Sequence, residues 1–361
     1  MTTTPHPALE AEEMAERIFA AVIDTMETLT VCLGDMLGYY AAVRDLGSVT
    51  VVELAAAAGT AERYAREWLE QQAIIGILLV DDVDAAPGER RYSLPAGHAE
   101  ALTDPESLAY IAPFARVAAA AAARLGDIAE AHRSGGGVSW DDFGQDMREG
   151  QGAANKPIFM GPLGEEWFPS IPEIHAVLTA GGRVADIATG FGWSAIGLAR
   201  AYPGIRVDGY DIDGPSIEAA RENAEAAGVA DRVTFHHADA GELGVESSYD
   251  LVTIFEAVHD LPYPVEVLRT MRKLAGDGGL VVVMDEAVAD SFGEFDNQTE
   301  HLMYGFSNLV CLPDGMSHPG SVGTGTVMRP SVLRRYAVEA GFAGIEVLPI
   351  DAGLFRFYRL V

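Results

Sequence analysis

Short apolar runs that end in glycine or acidic residues recur through the second half of the chain. The first lies within residues 183–192, RVADIATGFG, and residues 193–202 after it carry apolar side chains at helical spacing. Similar runs occupy residues 205–211, 232–238, 249–255 and 280–285, with helix-type patterns between them. This alternation predicts an α/β fold with a mainly parallel sheet and helices on both faces.

The turn after the first predicted strand has the composition of a nucleotide-binding loop. Glycine is needed where the backbone turns sharply or where a ligand lies directly against it, because a Cβ would collide. Gly190 and Gly192 are the candidates. The second strand ends at Asp211, about 20 residues further on, where a carboxylate can accept hydrogen bonds from both hydroxyls of a ribose.

These residues resemble the signature of class I S-adenosylmethionine-dependent methyltransferases. That signature combines an acid and a glycine-rich loop after strand one with acids after strands two and three, here Asp186, Asp211 and Asp239. The resemblance covers residues 171–361 and implies a Rossmann-like seven-stranded catalytic domain with an antiparallel last strand. S-adenosylmethionine is the implied cofactor, and the implied contacts are Asp186, Ala188, Gly190, Gly192, Asp211, Ile212, Asp239, Ala240 and Phe255.

The resemblance also implies which part of the cofactor several of these residues contact. The two glycines face the methionine and ribose, Asp211 the ribose hydroxyls, Ile212 an adenine face and Asp239 the adenine amino group. Ala188 departs from the family, which has glycine there, but alanine is the mildest replacement, so cofactor binding is still expected. A nicotinamide dinucleotide is the rival ligand, but the loop lacks the full G-x-G-x-x-G pattern and the third acid has no role with that ligand.

A histidine and two acids follow the fourth predicted strand, at Glu256, His259 and Asp260. Many O-methyltransferases with this domain order have a His-Asp pair here, and the histidine takes the proton of the acceptor. An ordinary histidine pKa of about 6.5 leaves a neutral, basic ring near pH 7. We therefore expect His259 to be the general base, oriented by Asp260 or Glu256. N- or C-methylation, a non-methylating reaction and a merely structural histidine remain open.

The acceptor pocket is expected from an insertion over residues 287–329 together with a segment before strand one. Aromatic and methionine side chains there suit an apolar small molecule, although each could belong to the core instead. The predicted substrate contacts are Trp167, His301, Tyr304 and His318. A metal held by His259 with His301 or His318 is conceivable, but no compact ligand motif supports one, and we expect none.

The first 104 residues predict a separate helical domain. A long helical pattern over 10–46, interrupted near Gly34 and Gly38, precedes two helices over 50–58 and 61–75 and a strand pair at 78–80 and 91–94. This resembles the winged-helix domain ahead of the catalytic domain in small-molecule methyltransferases, which implies a homodimer. Residues 105–170 are expected to form a helical linker that covers the pocket, ahead of the catalytic domain over 171–361.

Charge argues against the alternative of a winged-helix transcriptional regulator. The chain has 54 acidic and 24 basic residues, for a formal charge of −30, and residues 48–98 hold eight acids and four bases. Nucleic-acid binding depends on basic side chains that neutralise phosphates. We therefore expect no nucleic-acid partner. With two cysteines, no apolar run of about 18 residues and no signal-peptide pattern, we expect a cytoplasmic protein without a membrane partner.

Overall fold

The computed structural model describes residues 6–244, 249–293 and 295–361, which divide into two compact units. One unit contains residues 7–120 and 145–157. The other contains residues 121–144 and 158–361, together with His6. Each unit is described by itself below.

The first unit has the helix, turn, helix and strand-pair order that the sequence predicts. Thr50 accepts a hydrogen bond from the Glu53 backbone N–H, and the Glu53 carboxylate accepts one from the Thr50 N–H, so the two residues form a capping box at the start of the first of these helices. The elements are α1 (Ala11–Met36), α2 (Tyr39–Leu46), α3 (Val51–Ala58), α4 (Glu62–Ile74), β1 (Leu79–Val80), β2 (Tyr92–Ser93), α5 (Ala96–Thr103) and α6 (Ala112–Ala123).

The predicted interruption near Gly34 is wrong, because α1 continues through that residue to Met36. Gly34 lies against the indole of Trp68, where a Cβ would overlap the ring. The glycine therefore provides close packing rather than a turn. The chain turns instead at Gly38, which has a left-handed φ of 66°.

Helix α4, which would be the recognition helix of a DNA reader, has its arginines paired with acids. Arg63 lies 2.5 Å from the Glu67 carboxylate, and Arg66 lies 3.1 Å from that of Glu70. Arg90 of the wing also binds Glu70, at 3.1 Å. These pairs leave α4 without excess positive charge for phosphates.

Between the predicted domains the chain is more helical than the sequence indicated. The helical linker expected over 105–170 consists of separate helices: one ends at Ala123, the next begins at Leu125, and residues 140–160 form a helix that is kinked at Gly144. The elements are α7 (Leu125–Ser134), α8 (Trp140–Met160), a π-helical turn (Leu163–Trp167) and α9 (Pro172–Thr179).

The second unit is built on the predicted seven-stranded sheet, in the order β5-β4-β3-β6-β7-β9-β8. All pairs are parallel except those of β9, which runs antiparallel to β7 and β8, as the family resemblance implied. The elements are β3 (Arg183–Ile187), α10 (Trp193–Ala201), β4 (Arg206–Asp211), α11 (Gly214–Ala226), β5 (Val233–His237), β6 (Leu251–Phe255), α12 (Pro264–Ala275), β7 (Leu280–Glu286), α13 (Gln298–Phe306), a π-helical turn (Ser307–Cys311), α14 (Leu312–Met316), α15 (Pro330–Ala340), β8 (Ile345–Val347) and β9 (Phe355–Leu360).

Both faces of this sheet are buried. On β3, Val184 joins one apolar core and Ala185 joins the other, and neither is exposed to solvent. Ile187 pairs with Tyr210 of β4 on one side and with Ile254 of β6 on the other. The loops after β3, β4 and β6 therefore meet at one edge of the sheet, where ligands bind in open α/β sheets. Within the described ranges, no helix combines the length and apolarity needed to cross a membrane.

Candidate active site

The loop after β3 is held in backbone conformations that favour glycine. Gly190 and Gly192 have φ values of 52° and 78°. A Cβ at Gly192 would overlap the ring of Phe235, so this glycine lets the loop pack onto β5. A Cβ at Gly190 would meet nothing within 4 Å, so the backbone there borders open space that a ligand can approach.

Ala188 also adopts the left-handed region, with a φ of 53°. A Cβ costs about 1–2 kcal/mol in this conformation. We expect Ala188→Gly to raise the free energy of unfolding by about 1 kcal/mol, as measured by urea denaturation. Ala219→Gly, within α11, is the matched control and is expected to lose about 1 kcal/mol. Equal losses in both variants would contradict strain at Ala188.

Asp186 supports the loop from beneath rather than facing open space. It is 1% exposed, and its carboxylate accepts hydrogen bonds from the hydroxyls of Thr189 at 2.7 Å, Ser194 at 2.6 Å and Thr253 at 2.7 Å. Burial raises its pKa, against the effect of these donors. The direct cofactor contact implied for Asp186 is therefore not what this geometry provides. The carboxylate instead fixes the start of the loop and of α10.

Asp211, at the end of β4, is positioned by the loop itself. Its carboxylate accepts the backbone N–H of Gly190 at 2.7 Å and that of Asp213 at 2.8 Å. The next residue, Ile212, is 63% exposed, as an apolar face for a planar ring requires. The Asp239 carboxylate follows β5, is exposed to solvent and accepts the Gly241 N–H at 2.7 Å.

The remaining implied cofactor contacts lie in different surroundings. Ala240 is half-buried at the start of a short 3₁₀ turn after Asp239. Phe255 is 7% exposed and packs against Phe159, Phe168 and Phe357, with ring centroids 5.4–6.3 Å apart. Its side chain fills the core, so a cofactor contact through this ring is not what the structure provides.

Burial raises the pKa of Asp211 to about 6. Only the ionised carboxylate accepts hydrogen bonds from both ribose hydroxyls, so cofactor affinity should be lost as the pH falls through this value. We expect S-adenosylhomocysteine affinity, measured by calorimetry, to weaken between pH 7 and pH 5 with a midpoint near 6. Asp211→Asn should bind more weakly and lose this pH dependence. A midpoint near the ordinary aspartate value of about 4 would contradict the assignment.

His259 lies in the turn after β6 and is 3% exposed. Its Nδ1 donates to Asp285 Oδ1 at 2.8 Å and lies 3.0 Å from Glu286 Oε2. On the other side of the ring, Nε2 lies 3.2 Å from Asp260 Oδ1. The structure thus brings the predicted catalytic histidine together with carboxylates on both ring nitrogens.

This environment corrects two expectations about His259. Burial opposes protonation, but the carboxylates of Asp260, Glu286 and Asp285 raise its pKa well above the ordinary value, so the ring is not the weakly basic imidazole that the sequence suggested. In addition, the group that orients Nδ1 is Asp285, rather than Asp260 or Glu256. Burial would raise the pKa of Asp285, but the His259 cation lowers it, whereas burial raises that of Glu286.

Sequence reasoning missed Asp285 and Glu286. The available signal was two consecutive acids at the end of β7, an otherwise apolar strand. Because β7 lies beside β6 in parallel register, its carboxyl end had to approach that of β6. A pair of acids at that point predicts a partner for a polar group on the neighbouring strand.

Glu256 directly follows β6 and combines a strained backbone conformation with a buried carboxyl oxygen that lacks a hydrogen bond to any residue that the structure describes. Its φ is 51°, and its buried Oε1 has no hydrogen-bond partner among the described residues. Burial, together with the charges of Asp285 and Asp260, raises its pKa to about 8, so this carboxyl group is mostly protonated at neutral pH. Strained, buried polar residues of this kind concentrate at functional sites.

Asp314, in α14, is close enough to both parts of the site to be affected by charges from each. Burial and the nearby charges of Asp260 and Asp213 raise its pKa to about 7, and its carboxylate accepts the Trp140 backbone N–H at 2.7 Å. Asp213 follows the cofactor-type acid Asp211, whereas Asp260 contacts His259. The cofactor loops and the histidine cluster are therefore electrostatic neighbours.

The predicted substrate residues do not gather around His259. Trp167 is 8% exposed in the core, with its ring 5.4 Å from that of Phe357. His301 and His318 are exposed, and His301 Nε2 lies 2.6 Å from the Phe295 carbonyl oxygen. Tyr304 is 39% exposed, and its hydroxyl accepts from Arg329 at 3.3 Å.

Two groups within the described residues have the spacing to share a metal ion, and both contain His259. One consists of His259, Asp260 and Cys311, and the other of His259, Asp285 and Glu286. Neither includes His301 or His318, so the histidine pairs considered from sequence are not formed. Cys311 is buried beside Asp260 and His259. Burial and the charge of Asp260 raise its pKa to about 12, although His259 acts in the opposite direction.

Comparison with known proteins identifies a domain family in each half of the chain. Residues 178–316 match a methyltransferase domain model, and residues 25–104 match an Rv2258c-like winged HTH domain model. The chain is 31% identical to the ubiquinone/menaquinone biosynthesis C-methyltransferase UbiE of Pseudomonas putida over 216 residues, 56% of this chain and 80% of that protein. The chain belongs to the S-adenosylmethionine-dependent methyltransferases. S-adenosylmethionine is accordingly its cofactor.

Two further likenesses bear on this methyltransferase. It is 37% identical to 27-O-demethylrifamycin SV methyltransferase of Amycolatopsis mediterranei (strain S699) over 150 residues, which are 40% of this chain and 55% of that relative, so the likeness spans about half of that protein. The structure of the mitomycin 7-O-methyltransferase MmcR superposes with a TM-score of 0.70 at 21% identity, covering 97% of this chain and 98% of that one. At this identity the superposition concerns the fold.

Proposed function

We propose that this methyltransferase transfers a methyl group from S-adenosylmethionine to a hydroxyl oxygen of a small molecule, with His259 as the group that takes the proton. The main observation in support is the buried His259 ring at the carboxyl end of β6, whose Nδ1 is hydrogen-bonded to Asp285 at 2.8 Å. The oxygen specificity in the name of the 27-O-demethylrifamycin SV methyltransferase, which is 37% identical over 150 residues, supports the same reaction class.

The residues present fit the cofactor. Gly190 borders open space, Asp211 offers a carboxylate at the end of β4, and Ile212 offers an exposed apolar face. When bound, the cofactor supplies an electrophilic methyl group on a sulfonium. The chain has to hold the acceptor in line with that methyl group, and such positioning accounts for much of the rate of a bimolecular transfer.

His259 contributes the acid–base step. As the acceptor oxygen forms its bond to the methyl carbon and the carbon–sulfur bond breaks, the hydroxyl proton moves to Nε2. Asp285 and Glu286 stabilise the imidazolium that results, because they lie beside Nδ1. The ring must enter the reaction neutral, so a proton held at Nε2 has to leave before the acceptor hydroxyl is deprotonated.

A panel of phenols, naphthols and hydroxyquinones tests the reaction class. Each compound is incubated with the protein and S-adenosylmethionine, and the release of S-adenosylhomocysteine is measured. We expect release with at least one hydroxylated compound and none with its O-methylated counterpart, which lacks the proton and the free oxygen. Equal release from both members of a pair would contradict transfer to that oxygen.

We also propose a homodimer that forms through α1. Apolar side chains recur every four residues along one face of this helix, and they are exposed: Met14 41%, Ile18 55%, Val22 45% and Met26 59%. A second copy presents the same stripe, so two such helices can bury it in a self-complementary contact. The stripe is the support for this proposal, together with the winged-helix resemblance.

Replacing Ile18 and Val22 with glutamate is expected to convert the dimer to a monomer, because two carboxylates cannot be buried in an apolar contact without a large desolvation cost. Analytical ultracentrifugation measures the mass of each variant. Val83→Glu, at a residue 65% exposed outside the helices, is the control and should stay dimeric. A wild-type protein that is monomeric at micromolar concentration would contradict the proposal.

For the cell compartment we propose the cytoplasm. Cys32 and Cys311 are both buried and free, so the chain makes no use of an oxidising environment.

A further inference from the structure

We propose that His259, Asp260 and Cys311 form a binding site for a divalent metal ion of the zinc class, and that the ion inhibits methyl transfer by occupying the ring nitrogen that takes the acceptor proton. The inhibitory half of this inference rests on the proposed function of His259. The binding half stands on the geometry alone.

The three ligand atoms already have the spacing of a metal site. His259 Nε2, an Asp260 carboxylate oxygen and Cys311 Sγ all lie within 4.8 Å of one another, and Nε2 and Asp260 Oδ1 are 3.2 Å apart. Two donors that are each about 2.1 Å from a shared tetrahedral ion stand about 3.4 Å apart. Only small side-chain shifts are needed to bring all three donors onto one ion.

The donor types select the metal. A thiolate, an imidazole and a carboxylate suit zinc, whereas calcium and magnesium prefer oxygen ligands only. Three protein ligands leave a fourth tetrahedral position for water. Cys311 closes the π-helical turn Ser307–Cys311, and such turns are frequent at functional sites.

The surroundings supply the usual support of a metal-bound histidine. His259 Nδ1 donates to Asp285 Oδ1 at 2.8 Å, which fixes the ring so that Nε2 faces Asp260 and Cys311. A metal ion that displaces the Nε2 proton would bind the lone pair at this position. Metal-binding histidines commonly donate their second N–H to a carboxylate in this way. Asp285 and Cys311 are 1% and 9% exposed, whereas the Asp260 side chain is 32% exposed, so the arrangement is buried except at Asp260.

Independent support comes from buried oxygens that lack hydrogen-bond partners within the part of the chain described. These are Asp260 Oδ1, Asp285 Oδ2, Glu286 Oε2 and Glu256 Oε1. Asp285 and Glu286 are each more than nine-tenths buried, with exposures of 1% and 6%. Buried polar atoms are nearly always satisfied. Among these oxygens, Asp260 Oδ1 lies on the Nε2 side of the ring, 3.2 Å from that nitrogen, where an ion shared with Nε2 would satisfy it.

The second group with metal spacing, His259 with Asp285 and Glu286, is the weaker candidate. It would use Nδ1, which already donates to Asp285, and it contains no sulfur. The Nε2 site keeps that hydrogen bond and adds the thiolate. A metal at Nε2 takes the lone pair that accepts the acceptor proton, so zinc and the acid–base step exclude each other.

Cobalt provides the binding test, because thiolate coordination gives Co²⁺ an intense near-ultraviolet charge-transfer band. We expect metal-free protein to bind one equivalent of Co²⁺ with this band and to lose it when Zn²⁺ is added. Cys311→Ser should abolish the band, and Asp260→Asn should weaken Co²⁺ binding by about tenfold or more. Cys32→Ser, at the other buried cysteine, is the control and should retain the band.

Each contrary result overturns the site. A wild-type protein without the band, a band that persists in Cys311→Ser, or a band lost in Cys32→Ser would do so. Calorimetric titration with S-adenosylhomocysteine verifies that each variant is folded, because Cys311 lies outside the cofactor loops.

The inhibitory half is tested by zinc titration of methyl transfer to an acceptor from the phenol panel. We expect inhibition that a chelator reverses, with the half-inhibitory zinc concentration raised about tenfold or more in Cys311→Ser. Binding without inhibition would overturn this half. Failure of methyl transfer to every acceptor would instead contradict the proposed function, since the cobalt measurement needs no turnover.

Discussion

Replacing His259 with glutamine is expected to lower kcat for methyl transfer by about 10²–10⁴-fold, the range typical of a lost general base. Glutamine keeps a polar side chain of similar length but cannot take the proton. Because the ring belongs to the β6 turn rather than to the loops after β3 and β4, we expect the affinity for S-adenosylhomocysteine to stay within about threefold, since its contacts are unchanged. Turnover is measured as S-adenosylhomocysteine release, and affinity by calorimetry.

The control for His259→Gln is His318→Gln, at an exposed histidine of the same unit. It should leave kcat near the wild-type value. If His259→Gln retains comparable turnover, the general-base role is wrong, and the proton must leave by another route. If turnover and cofactor affinity fall together, the histidine acts in binding rather than in proton transfer.

Replacing Asp211 with alanine is expected to weaken S-adenosylmethionine binding by about 10²–10⁴-fold. Two hydrogen bonds between a carboxylate and ribose hydroxyls are worth about 1.5–3 kcal/mol each. The same carboxylate also holds the Gly190 and Asp213 N–H groups, so its loss loosens the glycine loop as well. Isothermal titration calorimetry measures the affinity directly.

Glu222→Gln is the control for this change, because Glu222 is an exposed acid on α11, close in sequence but outside the loop. It should bind the cofactor as the wild type does. Circular dichroism verifies that Asp211→Ala remains folded. Wild-type affinity in a folded Asp211→Ala protein would mean that the acid at the end of β4 is not the ribose ligand.

The sheet was predictable because its signals are local. Most parallel strands contain short runs of apolar residues with a glycine or an acid at or shortly after their end, and Pro264 and Pro330 begin helices as their fixed φ favours. The positions of Gly190 and Asp211 were predictable from the same signals, a glycine loop after one strand and an acid at the end of the next. Ala188 was correctly singled out as a departure, and its left-handed φ gives the physical reason why the family has glycine there.

The partners of His259 were not predictable in the same way, because they come from distant parts of the chain. Asp285 reaches the ring only through the pairing of β6 with β7, and Cys311 reaches it only through the path of the insertion. No spacing rule connects such residues. Phe255 and Trp167 were predicted to contact a ligand, but both lie in the apolar core. An aromatic residue near a site has the same sequence pattern whether it fills the core or lines a pocket, so the sequence could not distinguish the two.

The position of the transferred methyl group tests the central claim most directly. The protein is incubated with a hydroxylated acceptor from the panel and with S-adenosylmethionine that carries a ¹³C-labelled methyl group, and the product is examined by NMR. Transfer to oxygen predicts a methoxy carbon signal that correlates across the oxygen to the ring carbon. A labelled methyl group bonded to carbon or nitrogen, or cofactor binding without transfer to any acceptor, would contradict O-methylation.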